Sequence, residues 1–141
     1  MSFSNRTAQA LLNSLFGKTS NFGVLASAPT IYVALSSTTP TEAGANVTEP
    51  SAGAYARVST AAGDWNAATD ADPSVVDNAN AITFPAATAD WLSGANITHF
   101  VLYDTSTSGN VLGSGALDTA KAVLSGDTLS FAAGDLSISL D

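Results

Sequence analysis

After Gly17 the sequence changes period, and that change constrains the fold more than any other feature of the chain. Apolar residues that had recurred at helical spacing begin to recur at every second position, in short runs cut apart by Gly, Pro, Asp and Asn. In the run Thr30–Ser36, Ile31, Val33 and Leu35 fall on one face of an extended strand, because successive strand side chains point to opposite sides. Asp135–Leu140 repeats the pattern, with Leu136, Ile138 and Leu140 alternating with Ser137 and Ser139. Ala54–Thr60, Ala81–Phe84, Ile97–Asp104, Val111–Leu117, Lys121–Ser125 and Thr128–Ala132 read the same way. Gly126-Asp127 between two apolar runs predicts a two-residue hairpin with Gly at its first central position. Ser108-Gly109-Asn110 and Ala133-Gly134-Asp135 punctuate the neighbouring runs. About seven or eight short strands at roughly 8–12-residue spacing predict an all-β chain, an antiparallel β-sandwich or jelly roll.

Ahead of the strands, Ser4–Phe16 predicts one short amphipathic helix. Ala8, Leu11, Leu12, Leu15 and Phe16 form an apolar stripe, Arg6, Gln9 and Asn13 lie opposite, and Gly17 supplies a stop. A helix of about 13 residues is marginal alone in water. Leu11, Leu12, Leu15 and Phe16 must therefore dock, on the chain's own β domain or on a neighbouring subunit. The expected organisation is a single domain over 1–141, with the helix in 1–17 and the sandwich in 18–141, without internal repeats. Two stretches, the Pro- and Gly-punctuated Thr38–Gly53 and the Asp-rich Gly63–Asn80, read as long loops. Loops of this length commonly carry function, which makes them the expected partner-contact surfaces.

Composition closes off several classes. Twelve acids against four bases leave a formal charge of −8, and Arg6, Lys18, Arg57 and Lys121 are scattered singly. Nucleic acid and anionic membrane surfaces both call for clustered cations, so neither is an expected partner. Cysteine is absent, which removes disulfides and thiolate metal sites. No segment approaches the roughly 20 apolar residues of a membrane span, and no secretory leader is evident, so release in the cytoplasm where the chain is made is the expectation. Charged residues are only 11% of the chain, against about 25% in typical domains. Ser, Thr and Asn must cover much of the surface, which suits packing against copies or partners.

Catalytic equipment is not apparent. His99 is the single histidine, and alternation places it mid-strand on the face opposite Phe100. Gly17-Lys18-Thr19 lacks the earlier glycine of a phosphate-binding loop, since Leu12 stands there, and it follows a helix instead of preceding one. Gly113-Ser114-Gly115 has the wrong spacing for a nucleophile elbow. Asp70, Asp72 and Asp77, with Asn66, Asn78 and Asn80, offer the oxygen ligands that Ca²⁺ takes, but without the ordered spacing of a calcium loop. A solvated polar loop is the expectation over 63–80, with no metal and no cofactor. Trp65 and Trp91, each beside an acid, read as core or interface anchors, and only secondarily, with Tyr55, as platforms for a glycan. The sequons at Asn5, Asn46 and Asn96 carry no weight without a secretion signal.

Several strings in series resemble a known family. They include Ser2-Phe3-Ser4-Asn5 leading to Leu15-Phe16-Gly17, Ile31-Tyr32-Val33-Ala34-Leu35-Ser36, and Glu49-Pro50-Ser51-Ala52-Gly53-Ala54-Tyr55-Ala56-Arg57-Val58. Ile82-Thr83-Phe84-Pro85 through Asp90-Trp91, Gly109-Asn110-Val111-Leu112, Ser125-Gly126-Asp127 and Ile138-Ser139-Leu140-Asp141 follow. In this order the chain resembles the small virion proteins of tailed bacteriophages described as tail fibre-like or structural. Where that family commonly has a richer glycine run before Tyr55, this chain has Ser51-Ala52-Gly53-Ala54. The resemblance implies a non-catalytic β-sandwich in symmetric copies, a trimer among the options. It also implies contacts to other virion proteins, at tail, neck or baseplate, or as a decoration protein on the capsid.

Overall fold

The computed structural model describes residues 5–18 and 28–140. Among these residues eight strands follow one N-terminal helix: α1 Asn5–Leu15, β1 Ile31–Ser36, β2 Val58–Thr60, β3 Ser74–Asp77, β4 Ile82–Thr83, β5 Ile97–Tyr103, β6 Val111–Lys121, β7 Ser130–Phe131 and β8 Ser137–Leu140. β1 pairs with β5, β5 with β6, β3 with β8 and β4 with β7, all antiparallel. The expected all-β class with one N-terminal helix is borne out, and the pairing is consistent with a sandwich. By contact the chain forms two compact units. One comprises 1–30, 60–81 and 132–141, and the other 31–59 and 82–131.

In the first unit, α1 packs on β3 and β8, so its stripe docks on its own chain. Leu12 and Phe16 are buried, Leu11 and Leu15 half-buried, and the Phe16 ring meets Trp65 edge-on at 4.6 Å. The opposite side docks as well. Gln9 Nε2 donates to the Ala68 carbonyl at 3.1 Å, and Asn13 Oδ1 accepts the Ala68 N–H at 2.8 Å. Four residues apart on a helix means side by side, so the two amides together grip one residue's backbone. The helix ends as Gly17 implied. Gly17 takes a φ of +70°, and the N–H groups of Lys18 and Gly17 close onto the Asn13 and Ser14 carbonyls at 2.7 and 3.4 Å, a Schellman cap. The predicted start at Ser4 lies outside the described residues.

Asn78 organises the rest of this unit. It is wholly buried. Its Oδ1 accepts the Leu136 N–H, and its Nδ2 donates to the Asn80 and Ala132 carbonyls, each at 2.8 Å. Trp65 bridges Asn78 on one side. On the other, the β3–β8 register, with Asp77 opposite Ser137, continues to Asn78 and Leu136. Each of those partners follows the same tetrapeptide, Ala61-Ala62-Gly63-Asp64 or Ala132-Ala133-Gly134-Asp135, so a short repeat exists where none was expected.

Both copies, and Leu124-Ser125-Gly126-Asp127 in the second unit, close by one device. The Asp N–H donates to the carbonyl three residues back, at 2.9, 3.1 and 2.9 Å respectively. The Asp carboxylate accepts the N–H of that same residue, at 2.8, 2.7 and 3.0 Å. This corrects the two-residue hairpin read at Gly126-Asp127. Gly126, with φ +92°, is the third residue of the turn, and the Gly126 N–H and Asp127 carbonyl bond Ala87 instead of forming a ladder across the turn.

In the second unit a four-stranded sheet has the order β2-β1-β5-β6. Ile31, Val33 and Leu35 are buried as alternation required. Gly115 in β6 lies opposite Phe100, and a Cβ there would come within 2.5 Å of the Phe100 ring. The Gly113-Ser114-Gly115 string thus makes room for an aromatic ring. Two predicted boundaries shift. β6 runs on to Lys121, and Lys121–Ser125 forms no strand of its own. The Ala54–Thr60 run pairs only from Val58, because Gly53 and Ala54 turn left-handed at φ +65° and +63°.

Candidate functional site

The only salt bridge among the described residues joins Arg57 to Glu49. It stands where three segments of the second unit meet. Arg57 Nε and Nη2 donate to Glu49 Oε1 and Oε2 at 2.9 and 2.8 Å, a bidentate fork. Nη1 donates to the Thr105 and Ser108 carbonyls at 3.0 and 2.7 Å, and the guanidinium carbon lies 3.5 Å from the centre of the Tyr103 ring. The Tyr55 hydroxyl donates to Glu49 Oε1 at 2.7 Å and accepts the Leu35 N–H at 3.0 Å, fastening the cluster to β1. The Arg57 and Glu49 side chains are 7% and 21% exposed. Burial, then the adjacent Glu49 charge, pushes the Tyr55 hydroxyl far above its ordinary range. Burial works against the Arg57 charge, but hydrogen bonding to Glu49 and its negative charge outweigh it and hold the guanidinium above its ordinary value. The cluster is a fixed, internally neutral ion pair.

Arg57 thereby braces the β5–β6 loop, and Asp104 braces it from within. The Asp104 carboxylate accepts the Asn110 side-chain N–H at 2.8 Å and its backbone N–H at 2.7 Å, which hold it below the usual carboxylate range. Gly109 is required at the loop tip, since a Cβ would run into the Thr105 hydroxyl and the Asp104 carboxylate. Ser108, a non-glycine, is held left-handed at φ +54°. Between this loop and residues 49–57 lies a cleft of about 410 Å³, with Glu49, Arg57, Ser51, Ser106, Thr107 and Ser108 among its walls.

The residues singled out in the sequence are not brought together. Trp65, 2% exposed, donates to Thr60 Oγ1 at 2.9 Å in the first unit. Trp91, 1% exposed, donates to the Gly53 carbonyl at 3.0 Å in the second. Both are core anchors, and neither offers a face for a sugar to stack on. Leu11, Leu12, Leu15 and Phe16 lie in the helix interface already described. His99 is half-buried with Nδ1 2.8 Å from the Thr98 hydroxyl. Among the described residues no three His, Cys, Asp or Glu side chains converge. In the 63–80 segment, Asp77 accepts the Asn66 amide at 2.8 Å and Asp64 closes its own turn. The Arg57–Glu49 cluster was not singled out. Its one sequence signal is a lone Arg and a lone Glu within a single Tyr-containing run, and the carbonyls it binds lie about fifty residues on.

Antiparallel strand pairs, acids committed to turns and a loop braced by the Arg57–Glu49 ion pair make up an antiparallel β module. The family model described as podophage GP4 fiber I protein gp80 matches residues 2–139. The chain belongs to that family of phage fibre proteins, which bears out the resemblance to tailed-phage virion proteins. No curated protein matches it.

Proposed function

We propose that the chain is a non-catalytic β module that assembles in symmetric copies, as a trimer or other small oligomer, on a podophage particle and contacts other virion proteins through its loops. The family match over residues 2–139 carries this reading. The chemistry of the surface supports it. With 11% charged residues and several acids spent on turns, much of the exposed area is hydroxyl, amide and methyl, which meets a neighbour without burying unpaired charge. Light scattering of the purified chain is expected to give an oligomeric mass. Imaging of particles made without the chain is expected to show density missing from the tail or neck. A strict monomer together with unchanged particles refutes the proposal, and density lost from the capsid surface instead makes the chain a decoration protein.

A further inference from the structure

We propose that the cleft between Pro40–Glu42 and the start of β6 receives a lysine or arginine side chain of another virion protein. This rests on the assembly proposed above and names one of its contacts. The cleft, of about 310 Å³, is walled by Pro40, Thr41 and Glu42 on one side and by Val111–Ser114 on the other. Two local features build it. β6 bulges at Leu112: Val111 pairs with Tyr103 and Gly113 with Leu102, so Leu112 has no counterpart on β5. Such a bulge re-aims side chains, and Leu112 lines the cleft. On the opposite wall the loop is held from within. The Thr41 N–H donates to the Ala45 carbonyl and the Gly44 N–H to the Thr41 carbonyl, both at 2.9 Å. Asn46, left-handed at φ +60°, donates its amide to the Thr39 carbonyl at 2.8 Å. Gly44 seats the loop on β6, since a Cβ there would come within 3.1 Å of the Val111 side chain. The site is therefore formed before anything enters it, and little loop entropy is left to lose on binding.

Glu42 is exposed, and its carboxylate takes no hydrogen bond and no ion pair among the described residues. In this it differs from Glu49, Asp77 and Asp104, whose oxygens are already bonded within the chain. Beside it Pro40, Val111 and Leu112 supply apolar wall. A free carboxylate next to apolar surface is the complement of a long cationic side chain, whose methylene stem covers that surface while its charged head stays at the rim. The Ser114 hydroxyl lines the same cleft, also unbonded, and can accept a further N–H of that head. A metal ion would call for several oxygen ligands, and among the described residues no three acids converge. A second copy is the poorer donor. It brings twelve acids against four bases, and Arg57 is already locked to Glu49. A more basic partner is attracted instead of repelled.

The test begins with NMR titration of the full chain with blocked tripeptides that carry a central lysine, arginine or glutamine. Saturable shifts from a cationic tripeptide are expected, centred on Glu42 and Val111–Ser114, with a dissociation constant of about 1–10 mM. The glutamine tripeptide should give none, and Glu42→Gln should weaken cationic binding about fivefold. No saturable shift, equal shifts from the glutamine tripeptide, shifts centred elsewhere, or full binding by Glu42→Gln overturns the proposal. Should Glu42→Gln not fold, the comparison of cationic and glutamine tripeptides on the unaltered chain decides without it. In particles, Glu42→Lys should lower the number of copies carried. Incorporation of a folded Glu42→Lys at the unaltered level overturns the contact and leaves the assembly reading standing. Rescue of Glu42→Lys by Lys121→Glu in the same chain makes the partner a second copy, and overturns it too. Particles that lack even the unaltered chain refute the assembly reading, and the partner with it, whatever the tripeptides do.

Discussion

Asn78→Asp swaps one nitrogen for oxygen in a side chain that water does not reach. The orientation of the Asn78 amide is fixed by its partners, since the Leu136 N–H can only donate and the Asn80 and Ala132 carbonyls can only accept. In the variant the bond from Leu136 survives, but the second oxygen faces two carbonyl oxygens at the 2.8 Å that formerly suited hydrogen bonds. An ionised carboxylate at this position would be repelled by both, and a protonated one satisfies a single carbonyl. Two lost bonds at about 1 kcal/mol each, plus about 1–3 kcal/mol for a buried group left unpaired, give about 3–5 kcal/mol of destabilisation at pH 7. For a domain of this size that corresponds to a fall of about 10–15 °C in Tm. The native state favours the protonated acid, so the folded pKa of the new carboxyl lies above its unfolded value of about 3.9. As pH rises past that value the unfolded chain ionises first, and the variant loses stability until the folded pKa is reached. Urea unfolding followed by circular dichroism at pH 4 and pH 7 measures both effects. The deficit against wild type should be smaller at pH 4. A variant within about 0.5 kcal/mol of wild type at pH 7, or a deficit that does not change with pH, refutes the role assigned to Asn78.

Gly63 and Gly134 occupy equivalent places in the repeated tetrapeptide but differ in backbone. Gly63 is helical with open space around it, whereas Gly134 has a φ of +85°. Gly63→Ala should be neutral or stabilise by up to about 1 kcal/mol, while Gly134→Ala should cost about 1–2 kcal/mol. Thermal melts of the pair check this, and equal effects would count against it. Leu12→Ser with Leu15→Ser removes the helix stripe from its own core, at about 3–5 kcal/mol for Leu12 alone. Loss of the cooperative melt is expected, and a fully folded monomer that merely fails to assemble would contradict the docking described. Arg57→Lys keeps the charge but not the fork, and should cost about 2–4 kcal/mol. Faster amide exchange in residues 104–110 is the expected readout, and unchanged exchange there would show that Asp104 braces the loop unaided.

The helix and the longer strands were legible because burial imposes a period. α1 carries a 3.6-residue stripe ended by glycine, β1 and β8 hold alternating apolar residues, and β5 ends in the continuous apolar run Phe100–Tyr103. β3 was hidden inside the segment read as a loop over 63–80. Its two valines are too short a run to show alternation, and cis-Pro73 and several acids surround them. What holds β3 is pairing with β8 and the side-chain network of Asn78, neither of which leaves a mark in local sequence. Gly126-Asp127 misled because Gly-Asp suits more than one turn. Which one forms depends on where the carboxylate reaches, and in all three turns of this kind it reaches back three residues. Trp65 and Trp91 were readable as anchors by size alone. Arg57 was not, because its meaning lies in the Thr105 and Ser108 carbonyls of a distant loop.

The acidity of the chain also has a local cause. Of its twelve acids, Asp64, Asp104, Asp127 and Asp135 each accept a backbone N–H within their own turn or loop. Asp90 accepts the Ser125 N–H, Asp77 the Asn66 amide, and Glu49 the Arg57 fork. A carboxylate can satisfy the stranded N–H groups of a turn that no strand ladder reaches, and it needs no basic residue nearby to do so. A fold of short strands has many such turns, so acids accumulate while Lys and Arg do not. Much of the formal charge of −8 therefore sits on carboxylates already engaged within the chain. Carboxylates held at separate turns repel one another weakly beyond the Debye length of about 8 Å at physiological salt. The assembly proposed above would then meet least repulsion where its contacts fall on hydroxyl-rich surface between the charged turns.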